Sequence, residues 1–101
     1  MLTNVQGEPD LLNMILQSAG ISVFDEDGGI VLADNEGLKE AMNVYMDLIN
    51  AGILQEQTDW SGYQGSINNG SVVGTINGSW ICATIMSTDQ DEQKGNWAVT
   101  N

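Results

Sequence analysis

The sequence predicts an α+β domain in which helices pack with short strands and a small hairpin. Three observations carry that prediction. Apolar residues recur at helical spacing over residues 12–19 and 38–49. Short β-prone runs flank the turn-forming stretch Asp25-Glu26-Asp27-Gly28-Gly29. The chain has 101 residues, 42% of them hydrophobic, enough for one modest core. No internal repeat, charge tract or Pro-rich linker divides it, so residues 1–101 read as one unit.

Residues 1–7 read as an irregular lead-in. The first helix is expected from Glu8-Pro9-Asp10, with Pro9 at its first position and two carboxylates near the positive end of the dipole. Leu12, Ile15, Leu16 and Ala19 continue it, and Gly20 stops it. Ile21–Phe24 and Ile30–Leu32 then flank the acidic turn as a small hairpin. The second helix is capped by Asp34 or Asn35. Its apolar stripe is Leu38, Ala41, Met42, Tyr45, Leu48 and Ile49, and it ends at Gly52. A Gly-rich helix is expected from Asp59 to Asn69, with Tyr63 and Ile67 one turn apart and Gly70 as its stop. Ser71–Ile76 and Trp97–Thr100 read as strands. Local rules leave two readings between them. Asn77-Gly78 favours a hairpin that makes Ser79–Ile85 a strand, whereas Ser79 can instead cap a helix starting at Trp80.

Fourteen acids against two lysines, Lys39 and Lys94, give a net charge of −12. Nucleic acid and anionic membrane surfaces are therefore poor partners, because neutralising phosphate needs clustered Lys or Arg. No run approaches the ~20 apolar residues of a membrane span. The opening MLTNVQGEPD has no basic and apolar leader pattern, so no targeting signal is expected in this chain. With no His, the commonest zinc ligand and the usual neutral-pH general base are both missing. Cys82, the single cysteine, lies in an apolar run and reads as a small buried hydrophobe.

Few motifs carry chemistry. Asp25–Gly29 has the acidity of a calcium loop but lacks its third alternating ligand and its distal Glu, so it reads as a solvated turn. Asn69-Gly70-Ser71 and Asn77-Gly78-Ser79 match the short N-glycosylation pattern, which is common by chance. The Gly-X-Gly arrangements lack nucleotide-loop spacing. Accidental acid pairs are frequent in so acidic a chain and define no hydrolytic site. No metal, cofactor or catalytic residue is expected. The aromatics say more. Trp97 sits in a strand-like run and reads as core. Trp60 and Trp80 each follow polar, turn-forming residues, where an indole can pack against the C–H face of a sugar while neighbours bond its hydroxyls.

The order of elements, the helix Glu36–Ile49, Thr58-Asp59-Trp60 and above all Asn68-Asn69-Gly70-Ser71-Val72-Val73-Gly74-Thr75-Ile76-Asn77-Gly78-Ser79-Trp80 carry a family resemblance. The chain resembles, from about Gly7 to Val99, the extracellular sugar-binding proteins of ABC importers, the maltose-binding-protein-like group. The resemblance implies that Trp80 is a ligand-stacking tryptophan and that Glu8 accepts sugar hydroxyls. It puts Trp60 at a tyrosine position near the cleft and Asp10 where a family member has an aromatic. It implies a helix after Gly78-Ser79-Trp80, and that reading is followed. The backbone of Asn77-Gly78-Ser79 adds hydrogen bonds to the ligand, which enters Ser79 among the site residues.

Family members are three to four times longer and close two lobes around a sugar or oligosaccharide. The resemblance thus implies an internal piece of the C-terminal lobe, a partial lobe of a two-lobed periplasmic-binding-protein fold. It implies no enzymatic activity, ABC permease subunits as partners, and an extracellular or periplasmic place reached through a parent protein. The rival reading is a non-catalytic protein-interaction or assembly domain whose aromatics are core. A glycosidase fragment ranks below both.

Leu12, Ile15 and Leu16 on one helix and Leu38, Met42, Tyr45 and Ile49 on another need partners that 101 residues supply only in part. Self-association at micromolar concentration is therefore expected. It should strengthen with salt, which screens the acidic repulsion and leaves apolar burial intact. Light scattering across low and high salt tests this, and a sharp monomer throughout counts against it.

Overall fold

Leu2–Val5 forms a strand, β1, where local sequence rules expect an irregular lead-in. Its two central residues, Thr3 and Asn4, are polar yet buried, so the segment carries no apolar alternation. Its backbone is paired on both edges. Leu2 N–H donates to Ile53 C=O at 2.7 Å on one side, and Thr3 N–H to Gly74 C=O at 3.1 Å on the other. The computed structural model describes residues 1–87 and 93–100. After β1 come helices α1 (Asp10–Ser18) and α2 (Glu36–Asn50), strand β2 (Leu54–Gln57), and helices α3 (Trp60–Asn68) and α4 (Ile81–Met86). The architecture is α+β.

Strands β1 and β2 pair in parallel, with Leu2 opposite Leu54 and Val5 opposite Gln57. A parallel pair needs a long crossover, and α1 and α2 form it, packed against each other. The segment after α3 returns to the far side of β1 through a single parallel bridge between Leu2 and Gly74. β1 is therefore central, with β2 added on one side of it and the later segment on the other.

The helices form where periodicity places them, and their ends have local causes. Asn35 caps α2 by accepting from Leu38 N–H at 3.1 Å, while Asp34 beside it takes the left-handed conformation (φ 59°). Asp59 caps α3 by accepting from Gly62 N–H at 2.8 Å. Gly20 and Gly52 follow α1 and α2 at φ 69° and 67°, a left-handed turn that costs glycine nothing. On α1 the buried residues are Leu11 and Leu16, and Ala19 lies outside. On α2 Ala41 is buried, but Met42 is exposed. The expected stripes otherwise hold: Leu12 and Ile15 on α1, and Leu38, Tyr45, Leu48 and Ile49 on α2, are partly buried.

Two expected strands are corrected, and of the two readings of the stretch after Asn77-Gly78 the helix forms. Ser71–Ile76 makes only the Gly74 bridge, with Val73 and Ile76 exposed. Asn69 Oδ1 accepts from Ser71 N–H, and Ser71 Oγ donates to Ser66 C=O, so a side-chain-stabilised turn occupies the start of that run. Trp97–Thr100 pairs with no strand among the described residues; its order comes from Trp97 lying on the core. The Asn77-Gly78 hairpin does not form, and α4 follows instead. Ser79 does not cap that helix. Its first N–H groups bond three residues back, Ile81 to Gly78, Cys82 to Ser79 and Ala83 to Trp80, which closes a tight 3₁₀-like turn. The hairpin at 21–32 contracts to one bridge, Phe24 to Ile30. There Asp25 Oδ1 accepts from the N–H groups of Asp27 and Gly29 at 3.0 and 2.6 Å, so the carboxylate serves the turn.

The core cluster is Tyr63, Ile67, Val72 and Ile81, with Val5, Ile85 and Trp97 packed against it. Tyr45 of α2 ties the helix layer to the sheet: its hydroxyl donates to Glu56 and accepts from Asn4 Nδ2 at 3.2 Å. Burial, and then the adjacent Glu56 carboxylate, push the Tyr45 phenol above its ordinary 10.0, against a smaller opposing pull from Asn4.

That shift makes a prediction. Below pH 10 the phenol is protonated in both folded and unfolded chains; above it the unfolded phenol ionises first. The Tyr45 contribution is thus fully present below pH 10 and is lost as pH rises through the raised folded value. Urea melts at stepped alkaline pH should show this fall in the native chain, and Tyr45→Phe should lack it. An identical alkaline fall in both would overturn the assignment.

Candidate functional site

The carboxyl ends of parallel strands, where strand order reverses at the central strand, leave a crevice between diverging loops. In this molecule that crevice is a cavity of about 430 Å³. Asn4, Val5 and Gln6 from the end of β1 line it, with Glu8 and Asp10 from the turn into α1. Thr58 and Asp59 after β2, Trp60 and Tyr63 of α3, and Asn77 and Trp80 close it. Three of the four expected site residues, Glu8, Trp60 and Trp80, therefore meet around one space. Ser79 is exposed and is not among the lining residues.

The aromatics run from the core to the rim. Tyr63 is 1% exposed, Trp60 41% and Trp80 50%. Trp60 stacks on Tyr63 with ring centroids 5.0 Å apart and planes at 23°, and Trp80 lies 5.8 Å from Trp60 at 30°. Such offset rings gain beyond their buried area. Because Tyr63 and Trp80 both bear on Trp60, Trp80 has the freer surface for a ligand and Trp60 backs it. Neither of these two indoles is core, unlike Tyr63.

Polar groups hold this series in place. Tyr63 Oη is 2.8 Å from Thr75 Oγ1 and accepts from Asn77 Nδ2 at 3.3 Å. Asn77 Oδ1 accepts from Gly78 N–H at 2.8 Å, so the Gly78 amide is already engaged. The expectation of a free Asn77-Gly78-Ser79 backbone for ligand is corrected on that point. Thr75 Oγ1 donates to Thr3 C=O at 3.3 Å, which links the rim to β1. Glu8 is exposed at the mouth, and Asp10 is half-buried in the first turn of α1. Sequence reading missed Asn4, Val5 and Gln6 at the end of β1 and named Asn77 only for its backbone; the cap signal Thr58-Asp59 before a helix was legible.

Among the described residues no group of three His, Cys, Asp or Glu is placed to hold a metal ion. No helix among them is long and apolar enough to cross a membrane. Cys82 is half-buried and unpaired by any disulfide.

The indole of Trp80 needs the space over Gly78. A Cβ there would stand 2.9 Å from Trp80 Cδ1 and 3.1 Å from Nε1, closer than packing permits. Gly78→Ala should therefore swing Trp80 away from Trp60 while the backbone stays folded. The expected result is a weakened Trp–Trp couplet in near-ultraviolet circular dichroism with far-ultraviolet signal retained. An unchanged couplet would show that the two rings are not held in this arrangement.

Comparison with known proteins gives one point of reference for this cavity. The chain is 29% identical over 90 residues to a lactose-binding protein of Rhizobium radiobacter. The aligned region is 89% of this chain and 21% of that protein, so the chain spans about a fifth of the length of the curated relative it matches. No family model matches the chain, and no solved structure matches it. The similarity supports, at a coarse level, a distant relation to sugar-binding proteins.

Proposed function

We propose that this chain is part of the carbohydrate-binding component of an ABC importer and forms one wall of its sugar site. The observation that carries the reading is the half-exposed Trp80 beside a cavity bordered by Glu8 and Asn77 at the carboxyl ends of parallel strands. A sugar presents an apolar C–H face and a ring of hydroxyls. An indole platform takes the first, and carboxylates and amides take the second. Glu8 accepts hydroxyl hydrogen bonds, and Trp60 fixes the tilt of Trp80. The similarity to a lactose-binding protein supports the same ligand class.

In this reading the chain belongs to one lobe of a larger protein outside the cell or in the periplasm, which closes on its sugar and is read by permease subunits. The chain carries no chemistry of its own. One wall leaves much of a sugar wet, while the cost of immobilising it stays nearly constant, so isolated binding is weak, on the order of millimolar. Apolar side chains left outside, among them Phe24, Ile30 and Leu32, pack in this reading on other parts of the parent, and in the isolated chain on each other.

Trp80→Ala in the intact parent should cost ~1–3 kcal/mol of sugar affinity, the value of a stacking anchor in a desolvated pocket. Calorimetry on the folded variant measures it. An unchanged dissociation constant would remove Trp80 from the site and the reading with it.

A further inference from the structure

Resting on the sugar-site reading above, we infer that this wall selects its ligand by charge: protonated amino sugars bind best, neutral sugars less well, and acidic sugars are turned away. The inference comes from what borders the cavity. Glu8, Asp10 and Asp59 contribute three carboxylates, and no Lys or Arg is among the lining residues. The chain has two basic residues, and neither is here. Lys39 bonds Glu36 at 2.6 Å on α2, and Lys94 lines a different cavity.

Two helix starts also lie at this cavity, and their dipoles pull the other way. Each supplies roughly half a positive charge, felt within one turn. Both are already answered from within the chain. Asp59 places its carboxylate on the Gly62 N–H at the start of α3, and Asp10 lies in the first turn of α1. Three full negative charges against roughly one positive leave the cavity with about two negative charges in excess. A sugar carboxylate or phosphate there meets repulsion and finds no fork of donors. An ammonium group meets carboxylate acceptors and the faces of Trp60 and Trp80, both of which attract a cation. Distant charge adds to the same sign, since the chain as a whole carries −12.

The test uses three sugars built on one ring: glucosamine, glucose and glucuronate. Each is titrated into the 101-residue chain to about 100 mM at about pH 6, where the glucosamine amine is protonated and glucuronate is an anion. The indole N–H resonances are followed by NMR, with Trp97, which lines the other cavity, as the internal reference. At a total ionic strength of about 0.1 M, held equal in the three titrations with added sodium chloride, glucosamine should bind on the order of threefold to tenfold tighter than glucose, and glucuronate should be weakest. Raising salt to about 1 M should collapse that spread and leave glucose nearly unmoved, because only the charge-dependent part is screened. Equal binding of all three, or preference for glucuronate, overturns the charge selection while the sugar site stands. No response of Trp60 or Trp80 to any of the three overturns the site itself, and the selection with it.

Discussion

A four-residue strand with a polar middle constrains most of this molecule. Thr3 and Asn4 of β1 are buried, and buried polar groups must find partners or cost stability. Each partner comes from a different element. Thr3 Oγ1 accepts from Ser66 of α3, Thr3 C=O accepts from Thr75 in the returning segment, and Asn4 Nδ2 reaches Tyr45 of α2. Adding the ladder to β2 on one edge and the Gly74 bridge on the other, β1 sets the positions of β2, α2, α3 and the segment leading to α4. An apolar strand of this length would hold the same neighbours less specifically, since hydrophobic contact has no direction.

That arrangement also makes the site. β1 ends at Val5, and the cavity opens there. Tyr63 connects it to the interior: its ring is in the core cluster, its hydroxyl meets Thr75 and Asn77, and its face supports Trp60. Trp60 in turn supports Trp80. A rim indole is thus anchored through two rings to the best-buried part of the molecule. Such a platform loses little freedom when a ligand arrives, which favours binding.

The hairpin between α1 and α2 has a different character. Phe24, Ile30 and Leu32 are exposed around a hairpin held by one bridge and the Asp25 turn. The radius of gyration is 15.5 Å, where about 13 Å is usual for a compact domain of this length. The extra reach leaves apolar side chains outside the core. Under the proposed function that exposure is covered within a parent protein, and the −12 charge opposes self-association at low salt.

By itself the sequence determined the helices, the α+β class and the turns. Their causes are local: 3.6-residue periodicity, the Asn35 and Asp59 caps, and glycines after α1 and α2. It also marked Trp60 and Trp80, although the family resemblance was needed to add Glu8 and to choose the helix after Trp80. Tertiary structure decided the strands. Leu2-Thr3-Asn4-Val5 and Leu54-Gln55-Glu56-Gln57 have no alternation to read, and they pair because a helical crossover brings together segments far apart in sequence. It likewise left Ser71–Ile76 and Trp97–Thr100, strand-like by composition, without a ladder. Helices satisfy their backbone within a few residues, whereas strands and cavities exist only where distant segments meet. That is why the helices could be read from the chain, and why the strands and the gathering of site residues needed the fold.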